Sequence, residues 1–523
     1  MGNATTGCGL GSTAAQVDAG STRGGSSSTR SPKKTSSTSS WSKSRNASSD
    51  LVPWVPNQRW RMTVGKKQLM ITDSRGGRVG LSNLGNTCFM NAGLQCLSHL
   101  EPVNSYFLSG MYEQEINDKN PLGNGGQLAR AFAKLQEEIW QKSANMHRPK
   151  SLHSTLTRFA PHLFEGFEQQ DTQEFLAYLL DGLHEDLNLV KERPQAAKGN
   201  TTEEEELKAD EEMEQIEQEQ GEEYVAAMAW LRHLTRHKSI LVDLFQGQFR
   251  SIVTCTRCGK VSKTFDPYLY MSLPVNDGMR SIEDALQAFL AEETLSGNEQ
   301  WRCNRCKQRV DATKKIDIWK LPPVLVLHLK RFEFDTRTFR FQKIQAALDS
   351  PLTIDLSEWV KSEQKEPLVY DITCVANHSG AFGSGHYTAM CRHPVDGKWY
   401  NFNDDHVEEV PDPERSVMSN RAYVLFLIRN VDGNSDVEGM EVFRQSVSHP
   451  EVWPHTVSKT NSVMLAAVRD VVQQTNNFQP KKSGGGKLSA SKGLKSLLGG
   501  RRALPAMRDV PVVEEAEGDE PTL

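Results

Sequence analysis

Residues 80–97, GLSNLGNTCFMNAGLQCL, constrain this chain more than any other stretch. Gly80, Gly85 and the polar run Asn83, Asn86 and Thr87 predict a tight loop. From Cys88 onward Phe89, Ala92, Gly93, Cys96 and Leu97 recur at the i, i+3, i+4 spacing of a buried helix. Cys88 therefore stands where loop becomes helix. Unpaired backbone N–H groups and the helix dipole favour a thiolate there, so the position predicts a lowered thiol pKa and a nucleophile near neutral pH. The alternative is a structural cysteine, since free cysteine is commonly a core residue.

GLSNLGNTCFMN resembles the Cys box of the ubiquitin-specific proteases, a papain-like family of deubiquitinating enzymes, at nearly every position. Further similar motifs run from about residue 76 to residue 429. The resemblance implies an α+β fold: a papain-like cysteine protease core of thumb and palm, with an antiparallel, zinc-bearing fingers subdomain. It also implies thiol-dependent hydrolysis after the terminal glycine of ubiquitin through an acyl-enzyme. Asn83, five residues before the nucleophile, matches the family's oxyanion-stabilising position, where its amide would act beside the Cys88 N–H.

Composition divides the length. Only 37% of the 523 residues are hydrophobic and mean hydropathy is −0.54, so part of the chain buries little. The 9 Cys form no dense disulfide framework, and neither a signal peptide nor a bilayer-spanning run is visible. These features predict a soluble, intracellular, cytoplasmic protein that uses cysteine for metal binding or catalysis. The expected domains are a disordered Ser- and Gly-rich tail at 1–50, a lead-in at 51–75, a catalytic domain at 76–430 and a largely disordered tail at 431–523. Within the catalytic domain, 191–223 reads as an acidic insertion, a solvated run or frayed helix in a surface loop, and 245–320 as the fingers. The opening MGNATTGCG fits the pattern M-G-x-x-x-[ST], which makes Gly2 a myristoylation candidate and Cys8 a candidate for a second acyl chain. Peripheral membrane contact would follow from two such chains.

Leu128, Phe132, Leu135 and Ile139 predict one amphipathic helix, and Phe175, Leu176, Leu179, Leu180 and Leu183 a second, core-facing one. The second begins in QQDTQEFL, similar to a family block whose carboxylates face the basic tail of ubiquitin, which implies substrate-binding roles for Asp171 and Glu174.

Two CxxC pairs, Cys255 with Cys258 and Cys303 with Cys306, can turn four thiolates toward one point, the shell zinc prefers. Gly259 suits the tight turn after the first pair. No aromatic-interleaved basic patch accompanies them, so structural zinc is expected and a nucleic-acid partner is not. They resemble the knuckles of the family's fingers, which cradle the globular part of ubiquitin.

Residues 322–334, PPVLVLHLKRFEF, read as a central strand in which His328 packs rather than reacts, followed by an irregular loop to Lys343. In residues 370–410 a strand leads to a glycine loop at Gly380, Gly383 and Gly385, and His386 opens the next strand. A turn at 394–397 then returns the chain, bringing Asn403 beside residues 386–388. A thiol protease needs a base and a group that orients it, and His386 and Asn403 fit those roles. GHY and NDD resemble the family's His box, which implies Asn403 as the orienting group and Asp404 as a helper. Histidines 378 and 393 lack a returning partner and read as ordinary residues. The rival class is a ubiquitin-binding scaffold without activity, which the intact Cys, His and Asn set disfavours. Ubiquitin and ubiquitinated proteins are the implied partners of a monomer.

Overall fold

The computed structural model describes residues 76–430 apart from 143, 162–168, 192–202, 336–338, 365–366 and 382, with the backbone of two paired strands, Met62–Val64 and Lys67–Leu69. The remaining lead-in, both tails and the lipidation positions Gly2 and Cys8 lie outside the described residues.

Helix α1, Cys88–His99, is buried along its whole length. Helix α2, Gln127–Trp140, buries Leu128, Phe132, Leu135 and Ile139, the stripe its spacing predicts. Helix α3, Thr172–Asp186, packs against α1, where Phe89 meets Phe175 edge-on at 5.9 Å. Full burial of each such side chain is worth about 1.5–3 kcal/mol, so the helices are held mainly by one shared apolar core.

The acidic run is more ordered than its composition suggests. It forms helix α4, Glu203–Gln220, followed by α5, Glu222–Leu234, and α6, Ile240–Phe245. Met213 and Ile216 of α4 pack with Val225, Phe265 and Trp319, while Glu214 lies 3.4 Å from Lys260 and Glu217 pairs with Lys263. A few apolar side chains and opposite charges on the neighbouring strand dock a helix that its own sequence would leave solvated.

The fingers are antiparallel: β1, Gly247–Cys255, lies between β2, Val261–Tyr268, and β4, Ala312–Lys320, and Glu293–Leu295 pairs with the far side of β4. The central sheet has the order β9-β8-β7-β6-β10-β5-β3, with Thr353–Asp355 also on β6. Its strands are β3 (Met271–Pro274), β5 (Val324–Lys330), β6 (Val369–Ala381), β7 (Ser384–Arg392), β8 (Trp399–Asn403), β9 (His406–Glu409) and β10 (Ala422–Arg429). Among the described strands of this sheet, only β5 and β3 pair in parallel. The dense apolar runs of β5 and β10 follow from burial on both faces. Val324, Val326, Tyr423 and Phe426 join the helical core, whereas Leu325, Leu327, Leu425 and Leu427 join a second core across the sheet.

Two segments read as loops are hairpins. Phe332–Asp335 pairs with Arg340–Lys343, and the glycine loop continues β6 and β7 to the pair Ala381 and Ser384. Glycine signals a turn in sequence, but here Gly380 and Gly385 sit opposite each other inside the ladder.

Candidate functional site

Cys88 opens α1. The loop before it is closed by Asn83, whose side-chain oxygen accepts from the Gly85 and Thr87 N–H groups at 3.0 Å each, and by Thr87 Oγ1, which accepts from Leu84 N–H at 2.8 Å. Two polar residues of α1 tie it to the segment ahead: Asn91 donates to the Leu81 carbonyl at 3.0 Å and Gln95 to that of Val79 at 2.8 Å.

His386 lies in β7 and Asn403 ends β8, and the ladder that pairs Arg392 with Trp399 and Ala389 with Phe402 carries Asn403 back toward the histidine. His386 Nε2–H donates to the Asn403 side-chain oxygen at 2.6 Å, leaving Nδ1 as the free ring nitrogen. The thiol lies against the same strand, close enough to the backbone N–H of Tyr387, next to His386, for that group to lower its pKa. Among the described residues no hydrogen bond joins Cys88 to His386, as is common before substrate tightens a catalytic pair.

The Asp404 side chain has its hydrogen-bond partners on the Cys88 side of the site rather than on the imidazole. It occupies a two-residue turn between β8 and β9 with φ 52°, and its carboxylate accepts from Asn83 Nδ2 at 3.0 Å and Asn91 Nδ2 at 2.8 Å. The Leu81 N–H donates to the Asp404 carbonyl at 2.8 Å, and a Cβ on Gly80 would lie 2.3 Å from the Asp405 carbonyl oxygen. The turn thus clamps the loop before Cys88 to the sheet that carries His386. Only glycine at 80 allows that approach.

The expected depression of the Cys88 pKa is not found. Burial raises it, the Tyr387 N–H lowers it, the Asp404 charge raises it, and the N–H groups of Phe89 and Cys88 lower it. Burial prevails because the thiol is almost fully enclosed and a thiolate there loses its hydration.

Asp171 and Glu174 part company. Asp171 is the N-cap of α3, with Oδ1 accepting from Gln173 N–H at 2.6 Å and Glu174 N–H at 3.3 Å, and Oδ2 accepting from the Tyr423 hydroxyl at 2.5 Å and that of Tyr387 at 3.4 Å. Both oxygens therefore have structural partners. Glu174 is exposed. Sequence reasoning passed over Gln169, whose side chain donates to the Gly385 carbonyl at 2.6 Å and accepts from its N–H at 2.8 Å. That amide grips the backbone directly before His386, and its only signal in sequence is its place in QQD.

The other histidines are accounted for. His328 Nδ1 meets Ser272 Oγ at 2.9 Å and burial lowers its pKa to about 4. His393 Nε2 donates to the Gly76 carbonyl at 2.8 Å, and His378 packs on Tyr387.

The four expected metal cysteines converge. Cys255 Sγ lies 3.9 Å from Cys306 Sγ and Cys258 Sγ 3.7 Å from Cys303 Sγ, and all four sulfurs fall within 4.8 Å of one another. Zinc–sulfur bonds of about 2.3 Å place tetrahedral sulfurs about 3.8 Å apart, so the set fits such an ion. Both knuckles share one backbone form. The Cys258 N–H and Cys306 N–H each point to the first sulfur of their pair at 3.4 Å, and Gly259 and Lys307 follow at φ 69° and 55°.

With this geometry in place, comparison with known proteins gives a family model, ubiquitin carboxyl-terminal hydrolase, that matches residues 79–427. The chain belongs to the ubiquitin carboxyl-terminal hydrolase family. It is 40% identical over 365 residues to ubiquitin carboxyl-terminal hydrolase 2 of Bos taurus, covering 69% of this chain and 56% of that one. With the Gallus gallus protein of the same name it shares 39% identity over 355 residues, 67% of this chain and 93% of the relative. The chain thus spans little more than half of the bovine protein and most of the avian one. A SAGA DUB module bound to monoubiquitin shares the fold, with TM-score 0.51 and 24% identity over 68% of this chain and 70% of that one. The family match spans Cys88 as well as His386 and Asn403.

Proposed function

We propose that the chain hydrolyses the peptide or isopeptide bond after the C-terminal glycine of ubiquitin. The observation that carries this is the buried helix headed by Cys88 meeting the paired strands β7 and β8, which present the bonded His386 and Asn403. The burial-raised thiol needs a base, and His386 Nδ1 is the ring nitrogen available to take its proton as Cys88 Sγ attacks the scissile carbonyl. Asn403, holding Nε2–H, keeps that tautomer and steadies the imidazolium that forms. The Cys88 N–H and the second hydrogen of the Asn83 amide, whose first is held by Asp404, would donate to the oxyanion. His386 then returns the proton to the leaving lysine amine, the acyl-enzyme remains on Sγ, and a water deprotonated by the same imidazole releases the ubiquitin carboxylate.

Glu174, exposed near the head of α3, is the carboxylate best placed for a basic substrate tail, with Asp171 holding the helix start beneath it. Zinc on the four cysteines would cross-link the two knuckles and so stiffen the fingers, without a part in the chemistry. The direct experiment is reaction with ubiquitin carrying a C-terminal electrophile, followed by peptide mapping. Adduct formation on Cys88, abolished in Cys88→Ala while ubiquitin binding persists, is expected. Binding without any adduct would return the chain to the scaffold reading.

A further inference from the structure

A second set of metal-type ligands stands at the opposite end of α3 from Asp171, roughly 20 Å along the helix at 1.5 Å per residue. His184, in the last turn, is buried; its Nδ1 meets Ser239 Oγ at 2.8 Å and its Nε2 lies 3.1 Å from His237 Nδ1. The adjacent Glu185 is also buried, and its carboxylate accepts from Asn120 Nδ2 at 2.6 Å. A ligand atom from each of His184, Glu185 and His237 lies within 4.8 Å of the others. His237 is only half-buried, which gives an ion a way in.

We propose that His184, Glu185 and His237 bind one divalent transition ion of the zinc class, independently of the four cysteines, with a water in the remaining position. Imidazole nitrogens at about 2.0–2.1 Å from tetrahedral zinc are about 3.3 Å apart, so the observed pair needs only a slight parting. The outer partners also fit. A ligating imidazole normally passes its other N–H to an oxygen and a ligating carboxylate is itself hydrogen-bonded, which Ser239 and Asn120 provide. Two imidazoles and a carboxylate suit zinc, cobalt or nickel, whereas softer ions favour the thiolates. The ion would join the end of α3 to the connection between α5 and α6, bracing the segment that carries the acidic helix.

The test is cobalt(II) titration of the full chain after metal removal, read by absorbance and equilibrium dialysis. Two equivalents are expected, of which one produces the intense thiolate-to-cobalt charge-transfer band and the other only weak ligand-field bands. His237→Gln, at a half-buried position, should weaken the second equivalent by at least about 10-fold while sparing the first, because losing a ligand costs no less than losing an outer partner, itself about 10–100-fold. Cys303→Ser should do the reverse. A wild-type chain that takes up one equivalent with the thiolate band alone would show a hydrogen-bonded imidazole pair and overturn the proposal. So would a second equivalent that survives both His237→Gln and Glu185→Gln.

Discussion

At the residue scale, Cys88 shows how enclosure competes with helix position. The N-terminal N–H groups do lower its pKa, but desolvation outweighs them and the Asp404 charge works in the same direction as burial. A raised pKa means that the neutral thiol persists further into the alkaline range. Alkylation of the free chain by iodoacetamide should accordingly rise with pH through a midpoint above the ordinary thiol value. Asp404→Asn, by removing a negative charge, should move that midpoint down; an unchanged or higher midpoint would refute the electrostatic role. Asn403 is the other residue on which the geometry gives a firm expectation. Since both Asp404 oxygens hold asparagine amides, Asp404 is not poised to replace it, and Asn403→Ala should lower kcat/KM for a fluorogenic ubiquitin about 10²–10⁴-fold, the range of a disturbed general base. A loss under fivefold would mean that another group orients His386.

At the scale of elements, the site is an agreement between one helix, one loop and three strands. Gln169 fastens the segment before α3 to the hairpin of β6 and β7 at Gly385. Gln169→Ala should leave thermal stability nearly unchanged yet reduce kcat about tenfold or more, because a misplacement of about 1 Å in a catalytic group can cost about 10²-fold. Equal losses in folding and rate would make Gln169 merely structural. The knuckles depend on a different kind of agreement. If the four sulfurs hold zinc as proposed, chelation or Cys303→Ser should remove it, loosen hydrogen exchange in β1 and β4 and weaken ubiquitin binding, with less effect on Cys88 alkylation. Unaltered exchange after loss of that ion would argue against a structural metal.

At the scale of the whole molecule, the insertion and the sheet illustrate what a one-dimensional pattern contains. Ile216→Asp should undock α4 and cost about 1–3 kcal/mol in chemical denaturation, in line with removal of a partly buried apolar group. No change would return the acidic run to the solvated surface its composition suggests. Local pattern was enough to place Cys88 at a loop-helix junction, to give the amphipathic stripes of α2 and α3 and the paired knuckles, and to return Asn403 toward His386, because each rests on periodicity or a short turn. The direction of the Cys88 pKa shift, the bonding of Asp404 to Asn83 and Asn91, the capping by Asp171, the grip of Gln169 on Gly385 and the docking of α4 arise only in the folded chain. Those outcomes depend on burial and on partners as many as 321 positions away in the chain, as for Asn83 and Asp404, and neither quantity is written in the spacing of neighbours.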